Sequence, residues 1–77
     1  MSGDDHELKK HSLLIAGHAT SITLENIFWR EFRNIARDSG VSLGELVTEI
    51  DQNRHGNLSS AIRIFVLKNA LKNALKN

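Results

Sequence analysis

The stretch Thr20–Ile35 changes its hydrophobic period in the middle, and this change restricts what the chain can fold into. Ile22 and Leu24 are apolar and alternate with small polar residues, which is the pattern of a strand with one buried face. From Leu24 to Ile35 the apolar residues recur every three or four positions, which is the spacing of an amphipathic helix. The sequence therefore predicts a short strand that continues directly into a helix.

Local end signals predict two helices after this strand. The first runs from about Asn26 to Asp38, and Gly40 follows it as a left-handed C-cap. The second begins at the capping box Ser42–Glu45, in which each of the two end residues can bond the main-chain amide of the other through its side chain. This second helix ends by about Asn53, before the next glycine.

A third predicted helix begins between Asn57 and Ser60, both of which are residue types that favour the N-cap position. It continues into the sequence LKNALKNALKN at residues 67–77, and no proline interrupts it. The leucines of this tail recur every four residues, so they drift around the helix. We expect the tail to be helical, to fray and to contribute little to the fold.

The segment before the period change is harder to place. The apolar run Ser12–Ala16 suits a short strand that is buried on both faces, and Gly17–His18 suits a turn or a bulge after it. Residues 1–10 are polar, and we expect them to form a disordered leader. The division of the chain is then a leader at 1–10 and a single domain with a helical tail at 11–77.

A strand at Thr20–Leu24 without a neighbour would leave its main-chain amides and carbonyls unpaired. The same strand from a second copy could pair with it antiparallel, across a two-fold axis. A chain of 77 residues without cysteine also lacks the disulfides that stabilise many small domains. We therefore expect a homodimer with an intermolecular two-stranded ribbon, in which Trp29 packs on the dimer partner or on the third helix.

The composition argues against several classes of protein. No apolar run approaches the length of a membrane span, and the first residues lack the apolar stretch of a signal peptide, so we expect a cytoplasmic protein. No two of the four histidines have the spacing that brings metal ligands together on a helix, and no nucleophile motif is visible. We expect neither an enzyme nor a metal or other cofactor.

Charge is distributed unevenly, although the formal net charge is only +1. Glu45, Glu49 and Asp51 concentrate acid in the second helix, whereas residues 54–77 contain basic residues and no acid. A basic segment of this kind is typical of a polyanion-binding surface, and equally of a solvated helix face.

At this point the residues resemble a known family. The segments TSITLE, NIFWREFRNIARDSG and VSLGELV are similar to those of the ribbon-helix-helix DNA-binding proteins, the class of the Arc and MetJ repressors. The segments HSLLIAGHATSITLENIFW, SLGELVTEID and GNLSSAIRIFVL resemble a bacterial subgroup of ribbon-helix-helix domain proteins. The resemblance covers roughly residues 11–67.

The resemblance implies a mostly α ribbon-helix-helix homodimer with a short intermolecular antiparallel β-ribbon and three helices per chain. It implies that the ribbon enters the major groove of DNA and that the free amides at the start of the second helix bind a phosphate. The family commonly has a larger polar residue at the position of Ala19, and alanine can offer only a thymine-methyl contact. The resemblance therefore makes His18 a further candidate for contacting DNA. The residues expected to contact DNA are His18, Ala19, Ser21, Thr23, Ser42, Leu43 and Gly44, with Arg33 and Arg37 as phosphate contacts or as a solvated helix face.

The function we expect is that of a DNA-binding transcriptional regulator in the bacterial cytoplasm, associated with the nucleoid and acting as a repressor of this class. Its expected partners are double-stranded DNA and a second copy of itself, with higher oligomers on DNA left open. The alternative is a dimeric protein-interaction module or an antitoxin that binds a partner protein through the third helix.

Overall fold

A computed structural model describes residues 3–53 and 56–76, which form a β-hairpin followed by three helices. Arg54 and His55, the first two residues of the basic segment 54–77, lie outside the described residues. The predicted fold class, mostly α with a two-stranded antiparallel ribbon and three helices, is confirmed. A short 3-10 turn at Gly3–His6 precedes β1 (Leu8–Ile15), β2 (His18–Glu25), α1 (Asn26–Ser39), α2 (Leu43–Asn53) and α3 (Leu58–Lys76).

The ribbon consists of two strands from the same chain. β1 pairs antiparallel with β2 from Leu8 opposite Glu25 to Ile15 opposite His18. The connecting residues Ala16 and Gly17 have φ of 51° and 83°, and two positive φ values in a two-residue loop are the mark of a type I′ turn, which matches the twist of a hairpin. The expectation that β2 lacks a partner within its own chain is therefore wrong. Because we inferred an intermolecular ribbon from that missing partner, the inference loses its basis.

β1 also differs from its prediction in length and burial. It begins at Leu8, four residues earlier than expected, because a strand of a two-stranded sheet needs only one buried face and tolerates polar residues on the other. Ile15 is buried, but Leu14 is 71% exposed. The expectation of a strand buried on both faces is thus wrong.

The N-terminal residues from Gly3 onward are folded against α1, unlike the disordered leader that we expected. The side chain of Asn26 donates to the carbonyl oxygen of Asp4 at 3.0 Å, and its main-chain amide donates to the carbonyl oxygen of Glu7 at 2.9 Å. Arg30 and Asp5 form an ion pair at 2.9 Å. These contacts provide partners for the first turn of α1, whose N-cap Glu25 makes no capping bond with its side chain.

The core lies between the inner face of the hairpin and the three helices. Trp29, only 1% exposed, packs under β1 and is covered within its own chain, so it does not need the dimer partner that we expected to bury it. Its ring meets that of His11 edge-on, with the centroids 4.6 Å apart. Ile27, one of the apolar residues of this helix, is 38% exposed. The buried side of α1 is therefore centred nearer to Trp29 than the apolar pattern alone indicates, and it faces β1. The buried core residues are Ile15, Ile22, Leu24, Trp29, Phe32, Ala36, Leu46, Val47, Ile62 and Val66.

The predicted helix ends agree with the structure. Gly40 has a φ of 73° and donates to the carbonyl oxygen of Arg37 at 3.1 Å, as expected of a left-handed C-cap. In the capping box, the Ser42 amide donates to the Glu45 carboxylate at 2.9 Å and the Glu45 amide donates to the Ser42 hydroxyl at 3.1 Å. The Asn57 side chain accepts a hydrogen bond from the Ser60 amide at 2.7 Å at the start of α3. None of the helices in the described ranges combines the length and the apolar character that crossing a membrane requires.

Candidate nucleic-acid interface

The alternation of the hairpin separates its side chains into two faces. Residues directly opposite one another in the two strands share a face, and Ile22 and Leu24 are buried on the inner one. Their neighbours point the other way. We call this surface the outer ribbon face, and its members are Lys10, Ser12, Leu14, Ala19, Ser21 and Thr23.

The outer ribbon face carries hydroxyl side chains in its middle, a lysine toward one end and apolar side chains at the turn end. Beyond Lys10 and Thr23 the same register continues to Leu8 opposite Glu25, whose carboxylate accepts a hydrogen bond from Arg63 Nε at 2.9 Å. Lys10 lies opposite Thr23, and Ser12 lies opposite Ser21, with the two serine hydroxyl oxygens 3.5 Å apart. Toward the turn, Leu14 lies opposite Ala19. A surface built this way offers hydroxyl donors and acceptors in its middle and a cation toward one end.

Three of the residues expected to contact DNA come together on this face, and a fourth does not. Ala19, Ser21 and Thr23 occupy alternate positions of β2, as predicted. His18 is exposed, but it lies opposite the buried Ile15, so it belongs to the inner register at the end of the hairpin. The DNA contacts assigned to these residues stay predictions.

Lys10 and Ser12 also belong to the outer ribbon face, which we did not expect. We expected Lys10 in the leader and Ser12 in a strand buried on both sides. Lys10 and Ser12 alternate with His11, but Leu13, Leu14 and Ile15 are consecutive apolar residues, so the pattern alone does not mark the outward face. A two-residue hairpin turn at Ala16–Gly17 is the signal that could have identified it.

The start of α2 lies beside the turn end of the outer ribbon face. A Cβ atom on Gly44 would sit 3.1 Å from the carbonyl oxygen of Leu14, closer than most such contacts, so a larger residue would require a shift of a few tenths of an ångström between α2 and β1. Leu14, Ser42 and Gly44 line one shallow groove. The structure thus brings two of the predicted phosphate-binding positions close to the ribbon, and Leu43 between them is half-buried beside the core.

The Glu45 carboxylate already binds a main-chain amide at the N-terminal end of α2. The main-chain amide of Ser42 holds the pKa of Glu45 below its ordinary value through a hydrogen bond, and the Ser42 side chain lowers it further. The group is therefore ionised at neutral pH and already satisfies one of the free amides at this helix end. A phosphate at this position would have to displace or rotate the Glu45 side chain.

The arginines of α1 lie on the side of the ribbon that faces the helices, opposite the outer ribbon face. The Arg33 guanidinium is 6.0 Å from the ring centroid of Trp29, which itself packs beneath β1. Arg37 is exposed, with its Nε 3.5 Å from a carboxylate oxygen of Asp38. Arg30 bonds Asp5, and this hydrogen bond lowers the pKa of that carboxyl. The structure does not bring Arg33 and Arg37 onto the outer ribbon face, and their phosphate contacts stay predictions.

Comparison with known proteins places this architecture in a family. The model of a ribbon-helix-helix domain matches residues 8–70, from the first residue of β1 into α3. The chain belongs to the ribbon-helix-helix domain family. Members of that family are generally DNA-binding regulators or antitoxins, and the fold is a non-enzymatic, regulatory one that typically forms dimers.

A solved structure shares the whole fold of this ribbon-helix-helix chain. It is that of an uncharacterized protein from Bordetella pertussis Tohama I, which superimposes with a TM-score of 0.82 at 23% sequence identity. The match covers 99% of this chain and 66% of that one, and at this identity it establishes the fold alone. No curated protein matches the sequence. Over residues 3–53 and 56–76, no three His, Cys, Asp or Glu side chains are grouped as a metal site would require.

Proposed function

We propose that the protein is a DNA-binding transcriptional regulator whose outer ribbon face enters the major groove. One observation carries the proposal: Ser12, Ser21 and the half-buried Thr23 lie with Lys10 on a single outward face, backed by the buried Ile22 and Leu24. A solvent-facing sheet surface more often carries long charged side chains. A face of small hydroxyl side chains allows another polar surface to come close.

The dimensions and chemistry of the major groove suit this face. The groove is about 12 Å wide and admits a two-stranded ribbon, which a single chain supplies here. Serine and threonine hydroxyls can donate to or accept from base edges, and Ala19 and Leu14 can contact thymine methyl groups. Lys10 is positioned to reach a phosphate at the groove edge, which gives orientation and affinity without reading sequence.

A phosphate contact at the start of α2 completes the proposed binding mode. The amides of Ser42, Leu43 and Gly44 lie beside the ribbon, and the helix dipole favours an anion there. A phosphate would replace the Glu45 carboxylate that now binds the Ser42 amide at 2.9 Å. The proposal implies a protein that acts in the bacterial cytoplasm, at the nucleoid, and as a homodimer on two-fold symmetric sites.

The decisive experiment places negative charge on the outer ribbon face. Replacing Ser21 and Thr23 together with Glu leaves Ile22 and Leu24 buried, so the fold should survive. Each lost base contact is worth about 1–3 kcal/mol, so duplex binding should weaken by at least about tenfold at low salt, with added repulsion from phosphates. The measurement is a titration of labelled genomic duplexes at two salt concentrations.

A matched variant with the same added charge is Ala70→Glu with Asn73→Glu, two exposed positions of α3 far along the chain from the ribbon. It should bind nearly as well as the parent. The opposite ranking, with the α3 variant impaired and the ribbon variant unchanged, would refute the ribbon as the DNA-binding face and favour the basic third helix.

The second candidate function is that of a protein-interaction module or an antitoxin that binds a partner protein through α3. The observation that favours it is the row of exposed leucines on that helix, Leu67, Leu71 and Leu75. The absence of salt-sensitive binding to any duplex, together with unchanged folding, would support this second function over the first.

A further inference from the structure

α3 carries a second apolar side in addition to the one that packs into its own chain. Ile62 and Val66 are buried at 0% and 5% exposure, whereas Ile64, Leu67, Leu71 and Leu75 are exposed at 52%, 56%, 56% and 88%. At about 100° per residue these four fall within roughly 80° of one another, on the side opposite Ile62. We call them the distal stripe.

The spacing of the distal stripe keeps it on one side of the helix. Its steps of three, four and four residues make an eleven-residue pattern with 3.67 residues per turn, close to the natural period of the helix. Counted from Leu67 alone, the leucines recur every four residues, and we expected them to drift around the helix. With Ile64 included, the stripe is continuous over about 16 Å of helix.

The last turns of α3 have no support from the rest of the chain. Val66 is the last buried residue, yet the helix continues to Lys76, and residues 70–75 are all exposed. An apolar side on an unsupported helical extension points to a partner that covers it.

We propose that a second copy of this chain covers the distal stripe, with the two α3 helices antiparallel. The pattern is self-complementary when reversed: Ile64 lies opposite Leu75 of the second copy, and Leu67 interleaves with Leu71 around the two-fold axis. A two-fold interface of this kind uses the same patch on both chains. The surface is separate from the outer ribbon face, so the inference does not depend on DNA binding.

Charge around the distal stripe favours this occupant. α3 carries lysines and no acid, so two copies of α3 alone would repel each other. The acid comes from α2: Glu49 and Lys68 line opposite sides of a groove between α2 and α3, together with Ile64 and Phe65. In the antiparallel arrangement Lys72 of the second copy lies level with Leu67 on the α2 side, where it faces Glu49.

Neither charge of this proposed pair is engaged within the chain. Over the two described ranges, the Glu49 carboxylate and the Lys72 ammonium form no ion pair, and both side chains are exposed. Two equivalent Glu49–Lys72 pairs would form per dimer, because the symmetry repeats each contact. The pairs select the antiparallel orientation and the apolar stripe supplies the affinity.

The first test is the mass of the full chain in solution, measured without DNA by sedimentation equilibrium across micromolar concentrations. The parent should associate, and the double variant Leu67→Lys with Leu71→Lys should have half the parent's mass at the same concentration. The control Ala70→Lys with Asn73→Lys adds the same charge to exposed positions off the stripe and should keep the parent's mass. Circular dichroism should give the same helix content for all three proteins.

A second test exchanges the proposed ion pair without touching any apolar residue. Glu49→Lys alone and Lys72→Glu alone should each raise the dissociation constant of the dimer by about tenfold, since two pairs are lost and replaced by repulsion. The combined variant should return it close to the parent value. A monomeric parent, a double lysine variant with the parent's mass, or strictly additive effects of the two charge changes would each overturn the proposal, and a monomeric parent would leave the stripe to a different protein.

Discussion

The indole Nε1 of Trp29 donates a hydrogen bond to the main-chain carbonyl oxygen of Lys9 across 3.0 Å. The bond joins the buried side of α1 to β1. Because β1 has β2 on one edge only, this contact and the His11 ring against the indole hold the N-terminal strand in place. The outward position of Lys10 follows directly, since adjacent residues of a strand point to opposite faces.

Replacing Trp29 with Phe should destabilise the fold. The change removes the donor to the Lys9 carbonyl oxygen and part of a side chain that is only 1% exposed. A part-buried hydrogen bond contributes about 0.5–1.5 kcal/mol net, and the smaller ring leaves part of the space beneath β1 unfilled, so we expect Tm to fall by roughly 5–10 °C in a domain of this size. Thermal unfolding followed by circular dichroism measures the change, and Ile27→Ala on the exposed side of the same helix should lower Tm much less. Equal effects of the two changes would mean that the Trp29 contact contributes nothing specific.

Replacing Ala16 with Asn should stabilise the hairpin. Ala16 has a φ of 51°, a left-handed conformation that costs an L-residue about 1–2 kcal/mol. Asn tolerates this region better, and Asn-Gly is a preferred pair for a two-residue hairpin turn. We expect a gain of about 0.5–1 kcal/mol, seen as a rise of several degrees in Tm.

The companion variant of the turn is Gly17→Ala. It introduces a Cβ at a φ of 83° with nothing nearby to clash with, so any loss of stability arises from the backbone conformation alone. Tm should fall by several degrees. If Ala16→Asn lowers Tm instead, the turn is not the type I′ turn inferred from its φ values.

Lys10 and Lys9 form a matched pair for testing DNA contacts. Lys10 lies on the outer ribbon face opposite Thr23, whereas Lys9 lies opposite Leu24 and pairs with Glu7 at 3.4 Å. Lys10→Gln should weaken binding to all duplexes alike and reduce the slope of log K against log salt by about one unit. Lys9→Gln should leave that slope nearly unchanged. Equal slopes for the two variants would argue against a phosphate contact at Lys10.

Stability should decrease in acid in part through the capping box. The Ser42 amide lowers the pKa of Glu45 below its ordinary 4.5 in the folded chain, so the unfolded chain binds the proton more tightly. The contribution of Glu45 to stability is complete above its pKa in the unfolded chain. It is lost as the pH falls through the lower pKa that Glu45 has in the folded chain. Urea unfolding at several pH values should give a shallower acid loss for Glu45→Gln than for the parent. The exposed Glu31→Gln on α1 is the control, and an identical acid profile for Glu45→Gln and the parent would refute this role.

Truncation after Ala70 should have an effect that depends on protein concentration. It removes Leu71 and Leu75 from the distal stripe but no buried core residue. At concentrations where the parent is monomeric, Tm should be nearly unchanged. At higher concentrations the parent's Tm should rise through association while that of the truncated chain stays constant. A large loss of Tm at every concentration would show that the tail stabilises its own monomer.

Most helix boundaries were predictable because their signals are local. The Ser42–Glu45 capping box and the Gly40 cap each depend on residues within one turn of the chain, and each forms as expected. The burial of Ile22 and Leu24 also followed from the alternation alone. The position of Trp29 was not predictable in this way, because the orientation of α1 depends on where β1 lies.

The sequence by itself determined the strand-to-helix order, three helices and the alternation that turns Ser21 and Thr23 outward, since periodicity and capping act over a few residues. Only the tertiary structure decided that β1 pairs with β2 in the same chain, which brings Lys10 and Ser12 to the outer ribbon face. That pairing requires Ala16 to adopt a left-handed conformation that its residue type disfavours, and it is stabilised by a contact between Trp29 and Lys9, twenty residues apart. A local sequence pattern predicts neither feature. The left-handed Ala16 opposes the preference of its residue type, and the Trp29–Lys9 contact forms only when α1 packs against β1.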